Sequence, residues 1–112
     1  MIAKSVIPQS VLDRFNNGEL VAAVVQDVDT KDVLMMAWVN QEALEKSIST
    51  KAATFWSRSR NKLWVKGVES GNSQEIKSIS FDCDSDTLLF QVKPAGPACH
   101  TGAITCFDQK II

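Results

Sequence analysis

Apolar residues recur at helical spacing in two stretches of the chain. In residues 9–15 the apolar positions share one face, and Gly18 follows where a helix would end. Residues 41–49 carry a second apolar face, and they follow Asn40, a residue type that caps helix N-termini. The pattern therefore predicts two helices. Their core-facing side chains would be Val11, Leu12, Phe15, Ala43, Leu44 and Ile48.

Short apolar runs separated by polar turns fill most of the remaining chain. We predict about seven short strands from these runs. The clearest strands are residues 20–28, 33–39, 54–56, 63–65, 76–81 and 88–92. The apolar positions of residues 76–81 do not keep a perfect period of two. Two helices and this many strands predict a sheet-dominated α+β fold, with residues 1–112 forming a single domain.

Composition narrows the class of protein. The 112 residues are 45% apolar and 22% charged, with a formal net charge of −1, which is the ordinary mix of a globular domain. No apolar run approaches the ~20 residues of a membrane helix, and the first four residues lead into no signal-peptide core. We therefore expect a cytoplasmic protein that does not bind membranes. The balanced charge also disfavours a general nucleic-acid binder.

Three carboxylates alternate along one short segment, at Asp82, Asp84 and Asp86. Unpaired, they would repel one another, whereas a hard divalent cation prefers such oxygen ligands. A solvated acidic turn is the alternative interpretation. An EF-hand loop is excluded because Thr87 stands at its glycine position and Lys93 at its final glutamate position.

The three cysteines, Cys83, Cys99 and Cys106, cannot all pair within one chain. Three thiols with one open position are typical of catalytic zinc, and thiolates favour zinc over magnesium. The alternative is that all three are small core residues. His100, the single histidine, adjoins Cys99 and is either a hydrogen-bonded structural residue or a proton carrier.

Residues 51–66 hold five of the twelve basic residues and no acidic residue. Arg58 and Arg60 lie in a polar turn that suits bidentate contacts with phosphate, and Ser70-Gly71-Asn72 could add backbone N–H groups. The interleaved aromatic residues also fit base stacking on a single-stranded nucleic acid. A solvated basic hairpin with its aromatic side chains in the core is the third interpretation.

Several spaced segments of the chain occur together in one order. They are Trp56-Ser57-Arg58-Ser59-Arg60, Leu63-Trp64-x-Lys66-Gly67-x-x-Ser70-Gly71-Asn72, Asp82-Cys83-Asp84-x-Asp86, Ala98-Cys99-His100-Thr101-Gly102 and Cys106-Phe107. With them, residues from about 20 to 107 closely resemble the phosphoribosyl-AMP cyclohydrolase family. The chain departs from the pattern at Glu69, where threonine is common, and at Ala103-Ile104.

The resemblance implies an enzyme of histidine biosynthesis that hydrolyses the N1–C6 bond of the adenine ring of phosphoribosyl-AMP. It implies Mg²⁺ bound by Asp82, Asp84 and Asp86. It also implies Zn²⁺ bound by Cys83, Cys99 and Cys106, with Cys83 supplied by the other subunit, so that the metal site lies at a homodimer interface. No second, pyrophosphohydrolase domain is expected.

We hypothesise that the attacking hydroxide comes from a zinc-bound water, whose pKa zinc can lower to about 7. His100 would carry protons. The candidate substrate-binding residues are Arg58, Arg60, Lys62, Lys66, Ser70, Gly71 and Asn72. Two rival classes stay open at this point, a structural-zinc interaction module and a single-strand RNA binder.

Overall fold

The structure, a computed structural model, describes residues 6–112. It contains two helices and six strands in these residues. They are α1 (Gln9–Asn16), β1 (Val21–Asp27), β2 (Val33–Val39), α2 (Gln41–Thr50), β3 (Thr54–Ser57), β4 (Lys62–Val65), β5 (Gln74–Phe81) and β6 (Thr87–Pro94). The expectation that no signal peptide begins the chain concerns residues that lie outside the described ones.

Both predicted helices are confirmed. Asn40 caps α2, since its side chain accepts a hydrogen bond from the Ala43 backbone N–H (2.9 Å). The prediction of about seven strands is wrong, because six are present in residues 6–112. After β6 the chain reaches Gly96-Pro97 and continues in turns, and it adds no further strand there.

The six strands form one mixed sheet in the order β4-β3-β2-β1-β6-β5. All neighbouring strands are antiparallel except β1 and β6, which are parallel. The Ile76 N–H donates to the Lys51 carbonyl (2.7 Å), and Ala52 pairs with Glu75. These contacts join the start of β5 to the segment before β3, so the sheet curls into a half-barrel. The predicted sheet-dominated α+β class is confirmed.

The core lies on the inner face of this curled sheet. Alternate residues of β1 are buried, as the two-residue period of a strand requires, and Phe55 and Phe90 stack beside them with ring centroids 5.9 Å apart. All six predicted core-facing helical side chains pack here, although Leu12, Phe15 and Ile48 are only partly buried.

The imperfect alternation of residues 76–81 has a structural cause. The register between β5 and β6 shifts between Ile76 and Ser78, which is a β-bulge. A bulge adds one residue to a strand and reverses the faces of the residues beyond it.

The direction of β6 separates the two cysteine-containing segments. Residues 82–86 precede β6, and residues 95–106 follow it. The eight residues of β6 rise by ~3.3 Å each, so these segments lie at opposite ends of a strand about 26 Å long. Neither helix in residues 6–112 has the length and apolar character that crossing a membrane requires.

Candidate metal centres and substrate cleft

The turn between β5 and β6, residues 82–86, gathers the three predicted carboxylates; we call it the acidic turn. One ligand oxygen from each of Asp82, Asp84 and Asp86 lies within 4.8 Å of the others. The turn closes because Asp82 Oδ1 accepts hydrogen bonds from the Asp86 and Thr87 backbone N–H groups (3.0 and 3.2 Å). Local hydrogen bonding therefore brings the carboxylates together.

Helix α1 holds the acidic turn from the side. The Arg14 guanidinium donates to the Asp84 carbonyl (2.9 Å) and to Glu19 (3.0 Å). The buried Ser85 hydroxyl donates to Ser10 Oγ (2.7 Å). The turn is thus fixed at both its ends by strands and at its middle by a helix.

The carboxylates perturb one another. Hydrogen bonding with Asp86 and Asp82, together with their charge, raises the pKa of Asp84. Hydrogen bonds with Asp82 and with the Thr87 hydroxyl lower the pKa of Asp86. Such crowding disfavours full ionisation, and a hard divalent cation would remove the repulsion. The donor set therefore fits Mg²⁺.

The segment 95–106, which we call the cysteine segment, brings two sulfurs together. The Thr101 hydroxyl donates to Cys99 Sγ (3.1 Å), and this hydrogen bond, assisted by one from the Cys106 thiol, lowers the pKa of Cys99. Burial raises the pKa of Cys106, and the neighbouring Cys99 raises it further. One of two adjacent sulfurs is thus favoured as a thiolate, the form that binds soft metals. The pair fits part of a zinc site.

Contacts with β2 fix the Cys106 end of this segment. The Cys106 N–H donates to the Leu34 carbonyl (2.7 Å). The Thr105 hydroxyl donates to the Val33 carbonyl (2.6 Å) and accepts from the Phe107 N–H (3.0 Å). The second sulfur is therefore held against the start of a central strand.

Cys83 does not join the other two thiols within one chain. It lies exposed in the acidic turn, whereas Cys99 and Cys106 lie beyond the opposite end of β6. In residues 6–112 the aspartate trio is the single group of three or more metal-ligating side chains with ligand atoms in mutual reach. One copy of the chain thus brings together two of the three predicted sulfur ligands.

A cleft of about 910 Å³ opens beside the cysteine segment, on the β3–β4 hairpin. This volume is ordinary for a small-molecule site. The predicted residues that line it are Arg60, Lys62, Lys66, Ser70 and His100. Cationic side chains thus line the same cleft as the imidazole that adjoins Cys99.

Three predicted substrate residues lie away from the cleft wall. The Arg58 guanidinium stacks over the Trp38 ring, 4.9 Å from its centroid. Gly71 adopts a positive φ of 79° in the loop before β5. Asn72 packs its amide so tightly on Gly96 that a Cβ there would overlap it, and it thereby joins this loop to the cysteine segment.

Gly67 has a positive φ of 89°, and a side chain there would collide with the Ser73 backbone. Glycine is therefore required where the loop 66–73 closes on itself.

The structure also adds residues that sequence reasoning did not select. Lys46 reaches the cleft wall from α2, and no spacing in the sequence links it to the β3–β4 hairpin. Thr101 contacts Cys99 directly, and its place within Cys99-His100-Thr101-Gly102 was an available signal.

Two of the three aromatic side chains of the β3–β4 hairpin, Phe55 and Trp64, pack toward the core. Trp56 follows Phe55 along β3 and so points to the opposite face. Phe55 is fully buried and packs against Trp64, with centroids 4.9 Å apart. Trp56 and Trp64 are partly buried. A surface that stacks bases needs exposed ring faces. The burial of Phe55 and its packing against Trp64 therefore favour the interpretation in which these two rings belong to the core.

Comparison with known proteins agrees with these features. The family model described as phosphoribosyl-AMP cyclohydrolase matches residues 35–108, a range that includes both candidate metal-ligand clusters and the cleft. A phosphoribosyl-AMP cyclohydrolase of Nitrosopumilus maritimus is 53% identical over 100 residues, which cover 89% of this chain and 93% of that protein.

Two further relatives cover similar shares of the chain. The phosphoribosyl-AMP cyclohydrolase of Lacticaseibacillus casei is 60% identical over 88 residues, 79% of this chain and 80% of its own. A histidine biosynthesis bifunctional protein of Bacillus subtilis is 52% identical over 97 residues, 87% of this chain and 46% of its own. On these matches, the chain belongs to the phosphoribosyl-AMP cyclohydrolase family.

Proposed function

We propose that this protein hydrolyses the N1–C6 bond of the adenine ring of phosphoribosyl-AMP, as an enzyme of cytoplasmic histidine biosynthesis. Water adds its oxygen to C6, which becomes the carboxamide carbon, and N1 receives a proton as the C–N bond breaks. The product is a formimino-linked imidazole carboxamide ribotide. Family membership and the shape of the cleft support this assignment.

One observation carries the proposal: the cationic hairpin and His100, which follows Cys99 in the chain, border one cleft. The substrate has a phosphate at each end and a purine between them. Arg60 and Lys62 make no side-chain hydrogen bond or ion pair with any other residue in 6–112, so both cations are available to phosphate oxygens. Held by its phosphates, the substrate would present its ring to the side of the cleft that His100 lines.

His100 is the group in this cleft best suited to move a proton at N1. It is exposed on the wall of the cleft, and histidine is the side chain that most often acts as a general acid or base. Proton transfer to N1 lets the ring nitrogen leave as a neutral group.

We further propose that Asp82, Asp84 and Asp86 hold Mg²⁺, and that Zn²⁺ is held by Cys99 and Cys106 together with Cys83 of the partner subunit. Bound zinc lowers the pKa of a coordinated water to about 7 and so supplies hydroxide at neutral pH. The sulfur pair with a favoured thiolate supports the zinc assignment, and the crowded carboxylates support magnesium.

The separation of Cys83 from the other two thiols supports a homodimer. Cys83 and the Cys99–Cys106 pair lie at opposite ends of β6, so a three-sulfur site requires two copies of the chain. A two-fold dimer would form two such sites, each with sulfurs from both subunits.

Metal analysis combined with an ultraviolet assay of phosphoribosyl-AMP ring opening tests the proposal. We expect zinc in the purified protein, turnover, and the loss of both in Cys99→Ala. Full activity in a zinc-free Cys99→Ala variant would reject the zinc assignment. Zinc without any turnover would instead indicate a structural-zinc module, and salt-sensitive RNA binding without turnover an RNA binder.

A further inference from the structure

Between its two ends, the cysteine segment has very few hydrogen bonds to the rest of the protein. It begins where the Ala95 N–H donates to the Ser73 carbonyl (2.8 Å), and it is fixed again at Thr105 and Cys106. From residue 96 to 104, the backbone hydrogen bonds in the described chain stay within the segment, as in the bond from Cys99 N–H to the Ala103 carbonyl (3.1 Å).

Besides the packing of Asn72 on Gly96, one side-chain hydrogen bond from the rest of the described chain reaches residues 96–104. The Lys66 ammonium, at the end of β4, donates to the Ala98 carbonyl at 2.8 Å, across 32 residues of sequence. It is partly buried, and Ala98, immediately before Cys99, is 4% exposed. A charge-assisted hydrogen bond in a partly buried setting is shorter and stronger than a neutral one.

The Lys66 backbone is itself held firmly. Its N–H donates to the Ala53 carbonyl (2.9 Å), next to the start of β3, and Ala53 is fully buried. Lys66 thus connects a rigid part of the sheet to the loop that carries the first sulfur.

We propose that Lys66 is a positioning residue, which fixes the Cys99 sulfur relative to Cys106 by holding the Ala98 carbonyl. This inference rests on the proposed zinc site and gives Lys66 a role different from the phosphate contact predicted from its charge. The ammonium has three N–H donors, and the Ala98 carbonyl takes one of them whether or not a phosphate is bound. Groups that orient metal ligands typically change metal affinity by 10–100-fold when they are removed.

Zinc affinity of purified variants tests the proposal, measured by competition with a chromophoric chelator. Lys66→Met keeps the aliphatic stem and removes the donor, and we expect it to weaken zinc binding by about tenfold or more. Lys66→Arg keeps a cationic donor and should recover most of the affinity. Lys62→Met is the matched control, because Lys62 lines the same cleft without contacting the cysteine segment. It should raise the KM for phosphoribosyl-AMP and leave zinc affinity unchanged.

Hydrogen exchange of the metal-free protein gives a readout that needs neither zinc nor activity. In Lys66→Met, we expect faster exchange at the Ala98 and Cys99 amides, which the unheld loop would expose. The Cys106 amide should stay protected because its bond to Leu34 is unaffected. If Lys66→Met does not fold, Lys66→Gln, with a shorter donor, is measured in the same way.

A Lys66→Met protein that keeps wild-type zinc affinity and exchange, and only raises KM as Lys62→Met does, would overturn the proposal and identify a phosphate contact. Wild-type protein that binds no zinc and opens no ring would contradict the proposed function instead. The exchange comparison would then still decide whether Lys66 holds the loop.

Discussion

The acidic turn and the cysteine segment carry the two candidate metal centres, and they are built in different ways. The acidic turn collects its three carboxylates within five residues, and it closes because Asp82 accepts hydrogen bonds from the backbone N–H groups of Asp86 and Thr87. The cysteine segment relies on residues far away in sequence, such as Lys66 and Leu34. Distant contacts from α1 also hold the acidic turn in place, but they do not bring its carboxylates together. Distant contacts do position the two sulfurs, so the cysteine segment depends more on the whole fold.

The two centres also differ in how many of their ligands one chain supplies. One chain supplies all three carboxylates of the acidic turn but only two of the three sulfurs of the proposed zinc site. The acidic turn also carries Cys83, so the two centres would be joined through the dimer. Damage to one chain's turn would then affect the zinc site of its partner.

The largest expected effect comes from mixing two inactive variants. Cys83→Ala and Cys99→Ala should each be inactive alone. After co-refolding, roughly half of randomly paired dimers are mixed, and each mixed dimer has one site with all three sulfurs. We expect about a quarter of wild-type activity and zinc, measured by the ring-opening assay and metal analysis. No recovery in verified mixed dimers would show that Cys83 is not shared between subunits.

A second prediction separates the two metals. Asp84→Asn should weaken Mg²⁺ binding and lower activity by about tenfold or more, because the central carboxylate of the trio is lost. Zinc content should not change, since the amide leaves the backbone of the turn and its hydrogen bonds intact. Isothermal titration with Mg²⁺ and metal analysis measure the two effects.

Asp29→Asn is the matched control for this prediction, as Asp29 is an exposed aspartate that pairs with Lys93 (2.6 Å) in a different turn. It should change neither the binding of Mg²⁺ nor the zinc content. Loss of zinc in Asp84→Asn would contradict the independence of the two ligand sets.

The smallest expected effects compare the anchors of the two regions. Thr105→Val removes the hydroxyl that bonds to β2, and Ser10→Ala removes the acceptor for Ser85. Each should lower the free energy of unfolding by about 1 kcal/mol, measured by urea denaturation. Thr105→Val should also weaken zinc binding, and it should do so more than Ser10→Ala, which loosens only the turn that carries Cys83. Equal effects of both variants on zinc would mean that the cysteine segment is no more dependent on distant contacts than the acidic turn.

Local features of the fold could be predicted well from the sequence. Both helices, the cap at Asn40 and the core-facing residues of α2 follow from spacing and residue type alone. The ends of strands shifted by a residue or two, as with β5, which begins at Gln74 and not at residue 76. The bulge in β5 is detectable in the sequence, because it interrupts the alternation of apolar and polar residues.

Non-local pairings could not be predicted in this way. No pattern within β1 or β6 specifies that these strands pair in parallel, since that choice depends on how all six strands bury their apolar faces together. The positions of Arg58 over Trp38 and of Lys66 on Ala98 are of the same kind. Both residues were predicted to bind phosphate because of their charge alone.

By itself, the sequence determined the helices, the sheet-dominated class, the acidic turn and the family. These depend on residue type and on spacing over a few residues, where the covalent chain fixes which groups can meet. Tertiary structure alone decided which sulfurs lie together and which cations border the cleft. It also decided which of these cations donates a hydrogen bond to a backbone carbonyl. Such contacts join residues tens of positions apart, and only the packing of the complete sheet sets the distances between them.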